Sequence, residues 1–451
     1  MNILFTAFPS ELRTDIDNIS YRTVPTTAIY LLGAVLREEG FNVRIMDPQQ
    51  ILTELKVNSL EDILLNQLEN IDVICVSANT INWAASGKGI EIIRKKCARS
   101  IKIVVGGLHP TYFYEHIISK YDIDYLMVGE GEKTIGMLMR SIQMQEDASG
   151  IPGVVVKEKY DGKKIIPAPI ISNEDFSQLP LPIFEDLPPK SYLALPIETS
   201  RGCKYGCKFC SVAYRKSWRD FSAKHVKKRA RNTINNYSEL FLSKEIFVTD
   251  DCLTANLSRA MDIAEELFSI DESLRFAFET RITDWQQKER KEAAQVFSVK
   301  QVGRLGFGIE CGYDEGLKKI SKGLTIETLE STLRFLEASK MIDKAYFSFI
   351  IGFPWETLDG CLSTINYAAD IVKRYGNGIV NLNWLRLYPS EIWDQRASYN
   401  IELNEEVFDD LDYNRDKFFS SAHPSISLEE VRYISYIIQE YESRGIFLRN
   451  F

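Results

Sequence analysis

The chain has 451 residues, a length that at ~150 residues per domain suggests about three domain-sized units and excludes a lone binding peptide or single small module. Its 45% hydrophobic and 26% charged residues are those of a globular protein, and no apolar run approaches the ~18–20 residues of a membrane span, so disorder, collagen-like repeats and a transmembrane anchor are excluded. A formal net charge of −9 argues against nucleic acid as an electrostatically held partner, and eight cysteines in a cytoplasmic chain point to metal or redox chemistry instead of a disulfide framework.

The first 150 residues alternate short apolar runs with amphipathic stretches. Strands are predicted at 2–8, 42–46, 73–77, 101–105 and 125–128, and helices at about 27–39, 60–69, 87–98, 112–119 and 132–144. The opening run has no basic start and soon meets Pro9, so it reads as a strand and not as a signal peptide, and the chain is expected in the cytoplasm. Such βα alternation predicts an α/β fold, a doubly wound parallel sheet of Rossmann-like type over 1–150. Ligands of these sheets sit beyond the carboxyl ends of the strands. There the sequence places Ser77-Ala78-Asn79-Thr80, Gly106-Gly107-Leu108-His109-Pro110 and Gly129-Glu130-Gly131-Glu132.

Residues 153–167 read as a hairpin turning at Asp161-Gly162. The stretch that follows carries Pro167, Pro169, Pro180, Pro182, Pro188 and Pro189, so 151–192 is expected to be a hairpin and linker. A second βα series fills 193–390. Its strands are predicted at 196–199, 245–249, 275–280, 304–309, 346–351 and 380–385, and its helices near 223–238, 258–268, 286–297, 326–338 and 358–374. Six such units predict a full or partial (β/α)6 barrel with its site at the strand carboxyl ends. Residues 391–451 are expected to form a helical C-terminal substrate or lid region, with a capped helix at 428–442 opened by Ser427; the last 51 residues hold 11 acidic and 5 basic side chains, and so supply −6 of the net charge.

The most specific feature is Arg201-Gly202-Cys203-Lys204-Tyr205-Gly206-Cys207-Lys208-Phe209-Cys210, a C-x3-C-x2-C run after the first barrel strand. Three thiolates on one loop hold three irons of a [4Fe–4S] cluster and leave the fourth iron open. The rival is structural zinc, which wants four closed protein ligands; His225, fifteen residues past Cys210, does not supply the fourth. The other cysteines, Cys75, Cys97, Cys252, Cys311 and Cys361, are scattered and make no second cluster motif.

In this spacing, with Phe209 before the last cysteine, the chain resembles the radical S-adenosylmethionine (SAM) superfamily. The resemblance implies that the open iron chelates SAM, whose reductive cleavage gives a 5′-deoxyadenosyl radical that takes hydrogen from an unactivated carbon. It implies SAM contacts from Phe209, from Asp250 in Thr249-Asp250-Asp251, from Arg281 in Glu279-Thr280-Arg281, from Glu310 in Gly306-Phe307-Gly308-Ile309-Glu310, and from Gly352 and Pro354 in the run Phe349 to Glu356. The plain alternatives are a helix N-cap for Asp250, a surface ion pair for Arg281, a surface residue for Glu310 and an ordinary turn at Gly352.

The N-terminal half resembles the cobalamin-binding domain that precedes the barrel in one large subfamily, through Pro25-Thr26-Thr27, Asp47 and the three turns above. The cobalamin contacts implied are Ser77, Asn79, Thr80, Gly106, Gly107, His109, Gly129, Glu130 and Gly131. One departure stands out. None of the four histidines sits in the D-x-H-x-x-G pattern of His-on cobalamin domains, so the corrinoid would be held without that imidazole; His109 is either a cobalt ligand or a turn-stabilising residue.

The segment 214–232 carries Arg215, Lys216, Arg219, Lys224, Lys227, Lys228, Arg229 and Arg231 against Asp220, either a solvated helix face or a contact for an anion. Tyr205, Tyr214 and Trp218 flank the cysteine loop, where they would exclude water. The reading is therefore an enzyme with [4Fe–4S], SAM and cobalamin as cofactors, a methyltransferase acting on an unactivated carbon of a small-molecule or peptide substrate. It would draw on an external electron donor such as flavodoxin or ferredoxin. The alternatives are a radical cyclase or rearrangement enzyme, and a non-catalytic electron-transfer or cobalamin-carrier protein.

Overall fold

Short runs rich in Val, Ile and Leu become parallel strands where helices cover both faces of the sheet, and the first unit of the structure is built this way. The computed structural model describes residues 1–12, 23–97, 100–212, 214–376, 379–413, 417–419 and 422–447. The first unit comprises residues 1–193, 235–242 and 404–411. Its elements are β1 (Asn2–Thr6), α1 (Thr27–Glu38), β2 (Asn42–Met46), α2 (Pro48–Glu54), α3 (Leu60–Gln67), β3 (Val73–Ser77), α4 (Trp83–Lys96), β4 (Lys102–Gly106), α5 (Leu108–Tyr112), α6 (Tyr114–Lys120), β5 (Tyr125–Met127), α7 (Ile135–Met144), β6 (Val154–Val156) and α8 (Asn173–Gln178). The sheet order is β2-β1-β3-β4-β5-β6, parallel except for the last pair. The order reverses between β1 and β3, which sets a ligand crevice at the carboxyl ends.

Two expectations are corrected here. The helix predicted over 112–119 is two short ones, α5 and α6, broken at Phe113, whose φ of −116° and ψ of 34° are not helical. The hairpin predicted over 153–167 does not form. Val154–Val156 instead pairs antiparallel with β5, in the register Tyr125↔Val156, and no strand follows the Asp161-Gly162 turn. The open edge of β5 offers N–H and C=O groups to a strand that a local hairpin would otherwise have used.

The second unit comprises residues 194–234, 243–403 and 412–451. It contains β7 (Leu195–Ile197), β8 (Ser200–Cys203), β9 (Ser217–Asp220), α9 (Ala223–Tyr237), β10 (Glu245–Val248), α10 (Leu257–Phe268), β11 (Arg275–Arg281), α11 (Arg290–Phe297), β12 (Val302–Glu310), α12 (Asp314–Lys319), α13 (Ile326–Ala338), β13 (Ala345–Ile351), α14 (Leu358–Tyr375), β14 (Val380–Trp384), α15 (Glu391–Asp394) and α16 (Leu428–Ser443). Six parallel strands run in the order β14-β13-β12-β11-β10-β7, with β7 and β14 left as unpaired edges, so the barrel is partial. Alternate aromatics along the strands fill its core: Phe276 and Phe278 lie with ring centroids 6.1 Å apart, and Phe307 stacks on Phe347 at 5.6 Å. The Ser427 hydroxyl and Glu430 carboxylate form a reciprocal capping box at the start of α16. Among the described residues no helix is long and apolar enough to cross a membrane.

Candidate functional site

At the carboxyl edge of the second sheet, the chain leaves β7 and runs through β8 into the cysteine loop. Asp250, just past β10, fixes this exit. Its carboxylate accepts from the N–H and hydroxyl of Thr199 at 2.7 and 2.5 Å, and from the N–H and hydroxyl of Ser200 at 3.0 and 2.5 Å. With both oxygens doubly engaged it has no acceptor position left for SAM. The implied SAM contact at Asp250 is thus corrected to a positioning role behind the loop, and it is not a helix N-cap either. Asp251 accepts from the Gly202 N–H at 3.1 Å. From the other side, β9 pairs antiparallel with β8 so that Cys203 faces Ser217, and the Lys208 N–H donates to the Ile320 carbonyl at 3.1 Å.

The thiols sit in distinct surroundings. A hydrogen bond from the buried Cys252 thiol draws the Cys203 pKa down to about 7, whereas burial pushes Cys210 up to about 11. Arg281, at the end of β11, donates to the Cys207 sulfur at 2.8 Å and to the Thr283 hydroxyl at 2.7 Å, meets the Lys322 carbonyl, and lies 4.1 Å from the Tyr205 ring centre. Burial alone would lower its pKa, but the facing Cys207 sulfur leaves it raised. Arg281 is therefore in the loop's immediate shell and is not a surface ion pair. Asp284 gathers the other side, accepting from Thr254 Oγ1 at 2.7 Å, Cys252 Sγ at 3.2 Å and the Tyr205 hydroxyl.

Three soft donors on one loop, with a guanidinium on one of them and a hydrogen-bonded thiol beside another, suit an anionic iron–sulfur cluster. Among the described residues no three Cys, His, Asp or Glu side chains converge as a single bound ion would require. Cluster thiolates need not converge, because each binds a different iron.

Glu310 ends β12 with a φ of +79°, in the left-handed region. Its carboxylate forms a buried ion pair with Lys322 at 2.9 Å, the two side chains being 9% and 5% exposed. A Cβ on Gly308 would lie 2.3 Å from the Glu310 carboxylate, so only glycine leaves room for the pair. At the end of β13, Gly352 has a φ of +83° and lies under Phe419, whose ring a Cβ would meet at 2.5 Å. Buried Glu356 ties this turn by accepting from the N–H groups of Gly352 at 2.6 Å and Phe353 at 3.0 Å and from the Tyr313 hydroxyl at 2.9 Å. Phe209 of the cysteine loop meets Phe353 edge-on at 5.9 Å, Phe353 stacks on Trp355 at 5.2 Å, and Pro354 between them is buried. Among the described residues the buried Trp355 Nε1 has no hydrogen-bond partner. His423 closes the back of the turn. Its Nδ1 accepts from the N–H groups of Ser425 and Ile426, leaving Nε2 to donate to the Phe353 carbonyl at 3.1 Å.

In the first unit, the turns after β3, β4 and β5 come together at the sheet edge. Ser77 pairs with Gly106, the Ala78 N–H donates to Gly106, and the His109 N–H donates to Ala78. Gly107, at φ +105°, lies so close to Ala78 that a Cβ would stand 2.4 Å from its carbonyl oxygen. Gly129 donates to the Thr111 hydroxyl at 3.0 Å. The Gly131 carbonyl accepts from the N–H groups of Thr134 and Ile135 in the turn that leads into α7. Two implied contacts, and the Asp47 that helped carry the resemblance, turn inward instead. Asn79 closes its own turn by accepting from Ile81 and Asn82, the Glu130 carboxylate accepts from the Ile171 N–H at 2.5 Å, and Asp47 is wholly buried, accepting from Tyr30, Tyr192 and the Gln49 N–H. These side chains build the edge.

His109 is fully buried, with Nδ1 3.2 Å from the Thr80 hydroxyl and its ring stacked on Trp83 at 4.8 Å between Phe113 and Phe408. Burial takes its pKa down to about 3, so it is a neutral imidazole. Caged in this way it does not present itself as an axial ligand, and the turn-stabilising alternative is the one that fits. Its Nε2 is buried and has no partner among the described residues. A glycine-lined edge suits a large ring system held by backbone and shape.

Sequence reasoning missed Lys322, Asp284, Cys252, His423 and Asp409. Asp409 lies in the 3-10 turn Glu405–Asp409 packed in the first unit, where its carboxylate accepts from Trp83 Nε1 at 2.7 Å, the Tyr121 hydroxyl at 2.6 Å, His116 at 2.7 Å and Lys120 at 2.8 Å. In the C-terminal segment Trp393, Phe408, Phe418 and Phe419 are buried.

Residues 17–138 match the B12 binding domain family, and residues 197–368 match the radical SAM superfamily. The chain is 28% identical over 420 residues to an uncharacterized methyltransferase of Pyrococcus horikoshii, spanning 89% of this chain and 84% of that protein. It is 26% identical over 329 residues to the 4′-phospho-dehydrooxetanocin synthase of Priestia megaterium, spanning 68% of this chain and 43% of that one. The structure of the cobalamin-dependent radical enzyme OxsB with aqua-cobalamin superposes with a TM-score of 0.76 at 18% identity, over 98% of this chain and 67% of that one, and so shares the fold.

Proposed function

Since the chain belongs to the radical SAM enzymes that carry a B12-binding domain, with a [4Fe–4S] cluster, SAM and cobalamin as cofactors, we propose that it is a methyltransferase acting on an unactivated carbon of a small molecule or peptide. The observation that carries the reading is the three-cysteine loop in its polar shell, in one chain with a B12-binding domain. When bound, the cluster and SAM supply a radical able to remove hydrogen from carbon, and cobalamin supplies a transferable methyl group. The chain's own residues do the rest. Cys203, Cys207 and Cys210 would hold the cluster. Asp250 sets the entry to the loop, and Arg281 offsets negative charge at Cys207. Phe209, Phe353, Trp355 and the Gly352 turn would take the adenine, and the Glu310–Lys322 pair would set the polar wall beside it. The turns after β3, β4 and β5, braced from behind by His109 against Thr80, would receive the corrinoid. An external one-electron donor such as flavodoxin or ferredoxin would reduce the cluster. A second reading, cyclisation or rearrangement, is favoured by the relative that is named a synthase.

The test uses the anaerobically reconstituted protein with dithionite, SAM labelled in its methyl group and a small-molecule extract. The proposal expects 5′-deoxyadenosine and S-adenosylhomocysteine together, with the label carried into an extract component. Substrate-dependent 5′-deoxyadenosine without S-adenosylhomocysteine would move the assignment to the second reading.

A further inference from the structure

We infer that Phe408 and Asp409 are positioning residues for the corrinoid, and that the turn which carries them is a strap holding the turns after β3 and β4 at the spacing the ring needs. The inference rests on the functional reading above and concerns the same corrinoid edge. Residues 404–411 fall in the first unit, although the chain on either side of them belongs to the second. Asn404 caps the turn Glu405–Asp409 by accepting from the Glu406 N–H at 3.2 Å. One Asp409 carboxylate oxygen accepts from Trp83 Nε1 and the Tyr121 hydroxyl, the other from His116 Nε2 and Lys120 Nζ. Trp83 is the first residue of α4, which follows the β3 turn, while His116 and Lys120 lie on α6, beyond the β4 turn. A single carboxylate thereby ties together helices that leave both turns.

Phe408 reaches the turns themselves. Buried, it stacks on Phe113 at 5.3 Å and meets the His109 ring edge-on at 5.6 Å, and His109 bridges from the β4 turn to the Thr80 hydroxyl of the β3 turn at 3.2 Å. The sequence makes room for this network inside α4. Gly87 stands there, where glycine weakens a helix, and a Cβ on it would lie 2.7 Å from the Tyr121 hydroxyl that reaches Asp409. A ring held by backbone and shape binds tightly only where its cradle is already at the right spacing, because loosened turns must be ordered again on binding. By linkage, whatever the strap adds to corrinoid affinity, corrinoid adds to the docking of the strap.

The test measures hydroxocobalamin binding by equilibrium dialysis to the full chain from cobalamin-free cells, unaltered and as Phe408→Ala, Phe408→Leu, Asp409→Asn and the control Asp124→Asn. Asp124 is tied by Arg94 and Lys102 at the opposite, amino edge of the same sheet, so its change loosens the unit away from the turns. Amide hydrogen exchange over 404–411 is followed with and without hydroxocobalamin. The expected result is a dissociation constant at least about fivefold higher in Phe408→Ala and Asp409→Asn, partly recovered in Phe408→Leu and near the unaltered value in Asp124→Asn, with cobalamin slowing exchange over 404–411. Equal dissociation constants, or a loss that Asp124→Asn matches, overturn the inference and leave the functional reading standing. Should the strap variants fail to fold, the exchange measurement on the unaltered protein decides, and exchange over 404–411 that cobalamin leaves unchanged overturns the inference. No hydroxocobalamin bound by the unaltered protein overturns the functional reading and the inference with it.

Discussion

Lys322 and Asp250 illustrate why residues near a reactive centre act through their neighbours. A buried ion pair adds little net stability, but removing one partner strands the other charge, at about 3–5 kcal/mol. Lys322→Met is therefore expected to lower the unfolding free energy by about that amount in urea titration, and adding Glu310→Gln should recover part of it; an unchanged midpoint would contradict the pairing. Asp250→Ala leaves four donors at Thr199 and Ser200 without their acceptor, each costing about 1–3 kcal/mol if water cannot reach it. The strain falls on the strand that presents Cys203. Iron per chain should drop below half while far-ultraviolet circular dichroism is retained. At this scale the sequence told a good deal about Cys203, Cys207 and Cys210, because their ligand spacing is local. It told little about Lys322, twelve residues beyond Glu310, or about Cys252, which comes beside Cys203 only through the β7–β10 pairing. Chemistry set by tertiary contact leaves no spacing to read.

Elements show the same division. The parallel strands and their helices were legible because each buries a continuous apolar run within a regular βα period. The hairpin over 153–167 was misread because the competing partner, the β5 edge, is far along the chain. Two ties fixed by the C-terminal segment make predictions about pH. His423 holds the Gly352–Phe353 turn as a neutral imidazole, its pKa pushed down to about 4 by burial. Between about pH 6.5 and 4 the unfolded chain binds a proton that the folded chain resists, so this group's contribution falls as pH is lowered through that window, by at most about 3 kcal/mol. His423→Gln should flatten that part of the stability-versus-pH curve. Asp409 works with the opposite kind of shift. Burial alone would raise its pKa, but hydrogen bonds from His116, Lys120, Tyr121 and Trp83 hold it well below the usual carboxylate range. Its stabilisation is present above about pH 4 and is lost as pH falls through the folded value. Asp409→Asn should cost about 2–3 kcal/mol at pH 7 and progressively less below pH 4, as read from urea unfolding of the two proteins side by side.

For the whole molecule, two α/β units on one chain divide the chemistry between a cysteine loop and a glycine-lined sheet edge. The fold class followed from the periodicity of strands and helices. The family followed from the cysteine spacing. The corrinoid edge was less legible, because glycine turns recur in any doubly wound sheet and because Asn79, Glu130 and Asp47 proved to serve the chain's own turns. The most direct test of the account is the cofactor content of protein purified anaerobically from cobalamin-supplied cells. The account predicts about four irons and about one corrinoid per chain. Four irons with no corrinoid, even after reconstitution, would contradict methyl transfer through cobalamin and would require another role for the N-terminal unit.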